Sequence, residues 1–570
     1  MKRVSLRTLR PGKISPVPFM FYGTFVFLLS CSFILALKLP VMFPWGGPDE
    51  PMHISLVKYI ATYWEWPSWD SYKLLRYING QSYSTGSSIV YWIHAVFLKL
   101  TGHNRFGAVL LFTVLLGFLW TIYRRNKDAG LFGLSLITPQ CIFIFSYVNG
   151  DTGTIIVAFF LGVASACYLS APEKKHYFYF FMLSSAACMT GKFHVWAVGF
   201  VVFAAIAIVN IRYIVRLPVR HIVTAGMTSL LIASWWPVTS YFANDGDMLG
   251  FTAQKKAMAV FGDPAYKLTT FDLDAFPFKV FLTLLMKSFY GVWGWMRCYL
   301  PDPVYVAAFL LVAVQIILLL IQMKRRAALL IALMIFNVLL VVIYSTGYDF
   351  QPQGRYLFPS YFILIGFSVS SMAFHRNQES GKTVNDISRI VSIVLIALNI
   401  FAILVLGKSY ILPDVNHVKR VVVAPLKTAQ ENTSGQRHSD NDLIIYCREL
   451  LKRNPRHVDA MLNLGFVYNR RGEYEKAYDY LMDAHSKIDL YSLPSAALNI
   501  HLGYSLQKQS QFMPALRHYL EGLRLNPDYG GDVYCHVALL LGNQGMRDDC
   551  LYWSALAKEK SYLFCACSSS

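Results

Sequence analysis

Along the first 410 residues, long apolar runs alternate with short polar segments, and the polar segments differ systematically in charge. A helix needs about 20 apolar residues to cross the hydrocarbon core of a bilayer. The runs 19–37, 106–123, 129–147, 152–169, 193–211, 222–241, 304–322, 327–344, 357–374 and 390–406 approach or meet that length. The run 177–189 is shorter but must cross to keep the charge pattern consistent, which makes about 11 spans. The segment 87–100 is too short to cross and reads as a helix at the interface. The segment 276–295, with Lys279, Lys287 and many aromatics, reads the same way.

The loops orient the bundle. Arg124-Arg125, Lys174-Lys175, the 212–221 stretch, Lys324 to Arg326 and the 375–382 segment fall on one side, together with the basic N-terminus. By the positive-inside rule that side is cytoplasmic. The N-terminal basic cluster before an apolar run resembles a signal, but no small-residue cleavage site follows, so an uncleaved first helix is expected. An odd number of spans then places everything after residue 412 outside. The chain is therefore expected to be an integral membrane protein with a cytoplasmic N-terminus.

After Pro413 the sequence becomes that of an ordinary soluble protein. The expected layout is a transmembrane domain over 1–412, a linker over 413–441, a helical repeat domain over 442–560 and a tail over 561–570. Gly465, Gly472 and Ala477 recur as Gly503, Ser510 and Ala515 and again as Ala538, Gly545 and Cys550. The spacing is close to the period of tetratricopeptide (TPR) repeats. Such an array ordinarily binds a protein or peptide. The fold class expected is therefore all-α, a polytopic transmembrane bundle followed by a TPR-like array.

Composition changes this picture little. The chain has 55% hydrophobic residues and a formal charge of +19. Much of the excess charge lies in loops between spans, so nucleic acid is not an expected partner. The 10 cysteines include no CxxC pair, which removes the usual zinc and dithiol motifs. Cys565 and Cys567 are too close to bridge each other and are expected as free thiols.

The candidate chemistry collects on the outer side. Asp49 and Glu50, in Pro48-Asp49-Glu50-Pro51-Met52-His53, could take the proton of an incoming hydroxyl, or could merely cap the following helix. Asp151, after Asn149-Gly150, is a second acid at the outer end of a span, or again an N-cap. Lys192 could hold a lipid phosphate as a point charge, or snorkel to headgroups. Arg355, in Gln353-Gly354-Arg355-Tyr356-Leu357-Phe358-Pro359, offers a planar fork suited to phosphate. Gly354 would let backbone approach a ligand.

Taken in order, Pro48 to His53, Asn149 to Asp151, Thr190 to Lys192, Asn244 to Asp247, Ser288 to Trp295 and Gln353 to Pro359 resemble a bacterial branch of the GT-C superfamily of integral membrane glycosyltransferases. The resemblance covers roughly the membrane part. Such a branch does not usually carry a TPR tail, a layout shared with eukaryotic O-mannosyltransferases. It implies transfer of a sugar from a polyprenyl-phospho-sugar donor to a glycan, lipid or protein acceptor. The expected roles are Asp49, Glu50 and Asp151 in catalysis, Lys192 and Arg355 on the donor phosphate, and His53, Gln353 and Tyr356 in substrate binding. Carboxylate oxygens suit Mg²⁺ or Mn²⁺, so Asp49, Glu50 and Asp151 are also the candidate ligands of a divalent ion. Inversion is expected from a single displacement at the anomeric carbon. Two other classes compete: a transporter or flippase of lipid-linked glycans, and a non-catalytic membrane scaffold that presents TPRs. Transporters more often carry repeated halves and charges at the midplane.

Overall fold

In a computed structural model the chain is described over residues 16–39, 47, 49–77, 79–262, 276–293, 298–323, 325–347, 351–374, 382–411, 440–453, 458–487, 496–560, 562, 565 and 567. The N-terminal basic cluster, Pro48 and almost all of the expected linker lie outside these residues. The all-α expectation holds: helices carry the described chain, and its one sheet is the two-stranded pairing of Val292–Trp293 with Cys298–Tyr299.

Among the described residues, eight helices are long and apolar enough to cross a membrane, and the chain is an integral membrane protein. They coincide with eight of the expected spans. The remaining three differ in physically readable ways. Residues 129–147 form two short helices, Lys127–Ser135 and Pro139–Ile144. Pro139 cannot continue a helix, and Thr138 caps the new one by accepting a hydrogen bond from the Cys141 N–H. The Lys175–Ala187 and Phe193–Val209 helices meet at a 3₁₀ turn, Cys188–Thr190, and are shorter than full spans. The core of the bundle is the pair Asp151–Ser170 and Phe358–Phe374. Gly162 faces the Ile363 carbonyl and Gly366 the Phe159 carbonyl so closely that an added Cβ would lie 2.1 and 2.2 Å from those oxygens. Reciprocal glycines thus set the helix separation, as small residues do at membrane helix interfaces.

The C-terminal part is a helical array. Three helix pairs, Val458–Arg471 with Tyr474–Lys487, Ala496–Lys508 with Phe512–Leu525, and Gly531–Asn543 with Arg547–Glu559, follow the helix Asp440–Arg453. Gly465 lies under Leu481 and Gly503 under the Tyr519 ring, which explains the small residues at the repeat positions. The expectation of free thiols in the tail is corrected. Cys565 bridges Cys535 and Cys567 bridges Cys550. The two residues cannot pair with each other, but each reaches back to one helix of the last pair, and Ser554 anchors the return by donating to the Cys565 carbonyl.

This array packs onto the membrane domain. Met52 of the helix Glu50–Tyr63 and Leu75 of the loop after it share a hydrophobic cluster with Leu516, Leu520, Leu523 and Trp553. Trp553 donates to the Tyr72 carbonyl at 2.8 Å, and Arg517 to the Val260 carbonyl at 2.7 Å. The repeats therefore lie on the same side of the bundle as Asp49.

Candidate active site

The loop after the helix Glu50–Tyr63, described over residues 64–77 and 79–89, is folded around the buried Arg76. Its guanidinium donates to the carbonyls of Trp69, Ser71 and Gly80 and lies 3.9 Å from the Phe261 ring centre. That loop delivers Tyr83 to the start of helix Glu50–Tyr63. Asp49 occupies the N-cap position of this helix with φ 61°, a left-handed conformation that Asp tolerates better than most residues. Its side chain makes no capping hydrogen bond. The carboxylate instead accepts from the Tyr83 hydroxyl at 3.1 Å, and Oδ2 lies 3.9 Å from Nη2 of Arg355.

Glu50 has a different environment. It is fully buried and accepts from Arg105 Nε and Nη2 at 2.6 Å each, and from the Val148 N–H at 3.1 Å. Arg105 also donates to the carbonyls of Ala36 and Leu39. The bidentate pair thus ties the end of the first span, the start of the Phe106–Arg125 span and the outer loop together. Of the two adjacent acids, only Asp49 reaches the cluster of cations.

Asp151 begins the Asp151–Ser170 helix, but the capping is done by Asn149, whose Oδ1 accepts from the N–H groups of Asp151 and Thr152. The Asp151 carboxylate is thereby left to the site. Lys192 Nζ lies 2.8 Å from Oδ1 and Arg355 Nη1 3.5 Å from Oδ2. The two cations converge on one carboxylate, and Arg355 spans the gap between Asp151 and Asp49. Lys192 is placed by the 3₁₀ turn before it, where Ser87 donates to the Gly191 carbonyl and Ile89 N–H to the Thr190 carbonyl.

Arg355 sits in a 3₁₀ turn, Gly354–Leu357, at the N-terminal end of the Phe358–Phe374 helix. The role expected for Gly354 is corrected. A Cβ there would lie 2.1 Å from the Phe289 backbone nitrogen, so the glycine admits the helix Phe278–Gly291 rather than a ligand. Ser288 locks this approach by accepting from the Gly354 N–H at 2.7 Å. The Arg355 side chain is 6% exposed, yet among the described residues its Nε and Nη1 donors have no hydrogen-bond partner, Nη1 meeting Asp151 Oδ2 at ion-pair distance only. Buried charged groups ordinarily satisfy such donors, so the site has unspent capacity for an anion.

The remaining expected residues frame this core. His53 is buried, stacks on the Tyr83 ring with centroids 3.8 Å apart, and shares a 2.7 Å hydrogen bond with the Tyr91 hydroxyl. Burial first, then the charge of Lys192, push its pKa well below the usual histidine value, so it is a neutral wedge behind Tyr83. Tyr356 stands edge-on to His194, and its carbonyl accepts from Asn337. Gln353 bonds to Gln351 on the approach to the arginine, at 2.6 Å. Asp247 caps the Phe251–Phe261 helix by accepting from the N–H groups of Leu249, Gly250 and Ala253, and so serves the outer loop rather than the cluster.

The residues do not fit a divalent ion. Among the described residues no three His, Cys, Asp or Glu side chains gather into a metal site. Both Glu50 oxygens are held by Arg105, and Arg355 stands between Asp49 and Asp151. The expected set of three carboxylate ligands is therefore not assembled.

Three residues of the site were not foreseen. Tyr83 and Arg105 lie in loops with no periodic signal. Arg524 comes from the repeat array. Its Nη1 lies 3.8 Å from Asp49 Oδ1, its guanidinium carbon lies 4.8 Å from the Tyr77 ring centre, and Glu521 grips it with two 2.6 Å bonds.

A tetratricopeptide repeat family model matches residues 446–479, over the beginning of the helical array. No curated protein matches the chain. Among solved structures, that of ArnT from Cupriavidus metallidurans in the apo state is similar at a TM-score of 0.41 and 14% identity, covering 91% of this chain and 80% of that one. A likeness this loose fixes neither chemistry nor substrate.

Proposed function

We propose that the chain is a membrane glycosyltransferase that takes a sugar from a polyprenyl-phosphate carrier at the outer face of the bacterial inner membrane and so serves the cell envelope. The observation that carries this reading is the buried Arg355, bridging Asp151 and Asp49 with donors still unmet at the outer end of a span. That is the depth at which a lipid phosphate lies. The motif resemblance to GT-C enzymes points to the same chemistry.

In this reading Arg355 and Lys192 hold the carrier phosphate and stabilise the charge that grows on it as the sugar leaves. Asp151 holds the two cations apart and in register. Asp49 accepts the proton of the acceptor hydroxyl while that oxygen bonds to the anomeric carbon. The bond from that carbon to the phosphate oxygen breaks, and its electron pair leaves with polyprenyl phosphate. One displacement inverts the anomeric centre. A carrier is needed because nucleotide sugars are not supplied outside the cytoplasm. The two disulfides of the tail are in keeping with an oxidising outer compartment.

The test is consumption of polyprenyl-phosphate-linked hexoses and pentoses by the purified protein, read as release of polyprenyl phosphate. Wild type should release it from at least one donor, and Arg355→Gln should do so about 10²-fold more slowly. Equal rates in the two proteins would overturn the assignment.

A further inference from the structure

The repeat array does more than cover the outer loop. Of its residues, Arg524 reaches Asp49. It projects from the last turn of the helix Phe512–Leu525, with a side chain only 5% exposed. Its position is fixed on three sides. Glu521, one turn earlier, binds Nε and Nη2. The Tyr77 ring lies against the guanidinium, and Nη1 faces Asp49 Oδ1 at 3.8 Å. The opposite oxygen, Oδ2, takes the Tyr83 hydroxyl and faces Arg355 at 3.9 Å. The carboxylate is thus held from two sides by guanidiniums belonging to different domains. Glu521 neutralises the charge that Arg524 brings, so its arrival does not tip the balance of Asp49, Asp151, Lys192 and Arg355. A side chain that only glued two domains together would need neither burial beside the proposed base nor a dedicated counter-ion.

We infer that Arg524 is a positioning residue for Asp49, so that the repeat array completes the active site of the membrane domain. This rests on the assignment of Asp49 as the base. A catalytic carboxylate must be held to within roughly half an ångström of its productive place. The backbone at Asp49 leaves its side chain uncapped, and the two guanidiniums and Tyr83 supply that restraint. The acceptor must therefore meet Asp49 at the seam between the domains, beside Tyr77 and Tyr83.

The experiment uses the full chain and turnover of the polyprenyl-linked donor. Arg524→Gln should lower kcat about 10-fold or more with little change in donor KM, and Arg524→Lys should recover part of the loss. Because Arg524→Gln strands Glu521, the paired variant Arg524→Gln/Glu521→Gln is measured as well and should be equally slow. In an Asp49→Asn background, Arg524→Gln should cost nothing further, since residues that act as a unit are not additive. Arg517→Gln, which cuts a different tie, between the array and the helix Phe251–Phe261, should stay within about twofold of wild type. The inference is overturned if Arg524→Gln turns over normally while Asp49→Asn is inactive, if the paired variant regains full rate, or if the two losses multiply. An active Asp49→Asn would instead remove the base assignment, and this inference with it.

Discussion

Replacing Glu50 by Gln separates structural from chemical acids in the Asp49-Glu50 pair. The substitution keeps the shape and one acceptor but removes the charge opposite Arg105. Arg105 is 8% exposed on its side chain and Glu50 fully buried, with both charge-assisted bonds at 2.6 Å. Removing one partner of a buried pair typically costs about 3–5 kcal/mol, because the other charge stays behind. Gln retains a carbonyl, and Arg105 retains the carbonyls of Ala36 and Leu39, so the lower end, about 3 kcal/mol, applies here. That shifts the unfolding equilibrium by roughly 150-fold. Thermal unfolding in detergent should show the loss, while transfer per folded molecule should fall by no more than about threefold. Asp49→Asn should behave oppositely. Its ion pairs are longer, at 3.8 and 3.9 Å, so the loss of stability should be smaller than that of Glu50→Gln, whereas transfer should fall about 10²-fold or more. A Glu50→Gln protein that is as stable as wild type yet inactive would refute the division and make Glu50 the base.

Three further outcomes follow from the same geometry. Gly354→Ala forces a Cβ to within 2.1 Å of the Phe289 backbone, so it should displace Arg355 and abolish transfer, and at the same time lower the yield of folded protein measured by size-exclusion chromatography. Reduction of Cys535–Cys565 and Cys550–Cys567, which close loops of 30 and 17 residues, should loosen the last helix pair. Each such bridge is worth about 3 kcal/mol, so limited proteolysis of the reduced protein should begin after residue 530. His501 is buried against Phe466, and burial lowers its pKa from 6.5 to about 4. The folded state therefore binds its proton later than the unfolded state does. The array should have its full stability above pH 6.5 and lose on the order of 3 kcal/mol as pH falls to 4, and His501→Phe should flatten that dependence in thermal melts.

The membrane architecture was legible because a bilayer imposes length and polarity directly on sequence. Eight of the expected spans appear as full helices, and the small-residue offsets after residue 460 mark real helix crossings at Gly465 and Gly503. The break at Thr138-Pro139 shows the limit, since a hydropathy run does not reveal a capped restart inside it. At the site, the sequence pattern named Asp49, Asp151, Lys192 and Arg355, which the structure brings together. It could not separate Asp49 from Glu50, because the distinction depends on Arg105, 55 residues away. Arg524 was hidden for a similar reason. In sequence it is one more basic residue near the end of a repeat helix, and only the docking of the array places it beside Asp49. The tail bridges are not legible in Cys565-Ala566-Cys567 alone, because their partners Cys535 and Cys550 lie on helices that only the fold brings beside the tail.

The central claim is that the Arg355 cradle takes a lipid-borne phosphate, and binding tests it without knowledge of the sugar. Detergent-purified wild type should bind a short-chain polyprenyl phosphate saturably. Arg355→Gln should weaken that binding about 10-fold or more, while Lys452→Gln, on an exposed face of the repeat array, should leave it unchanged. Absence of saturable binding, or equal affinity in wild type and Arg355→Gln, would contradict the account.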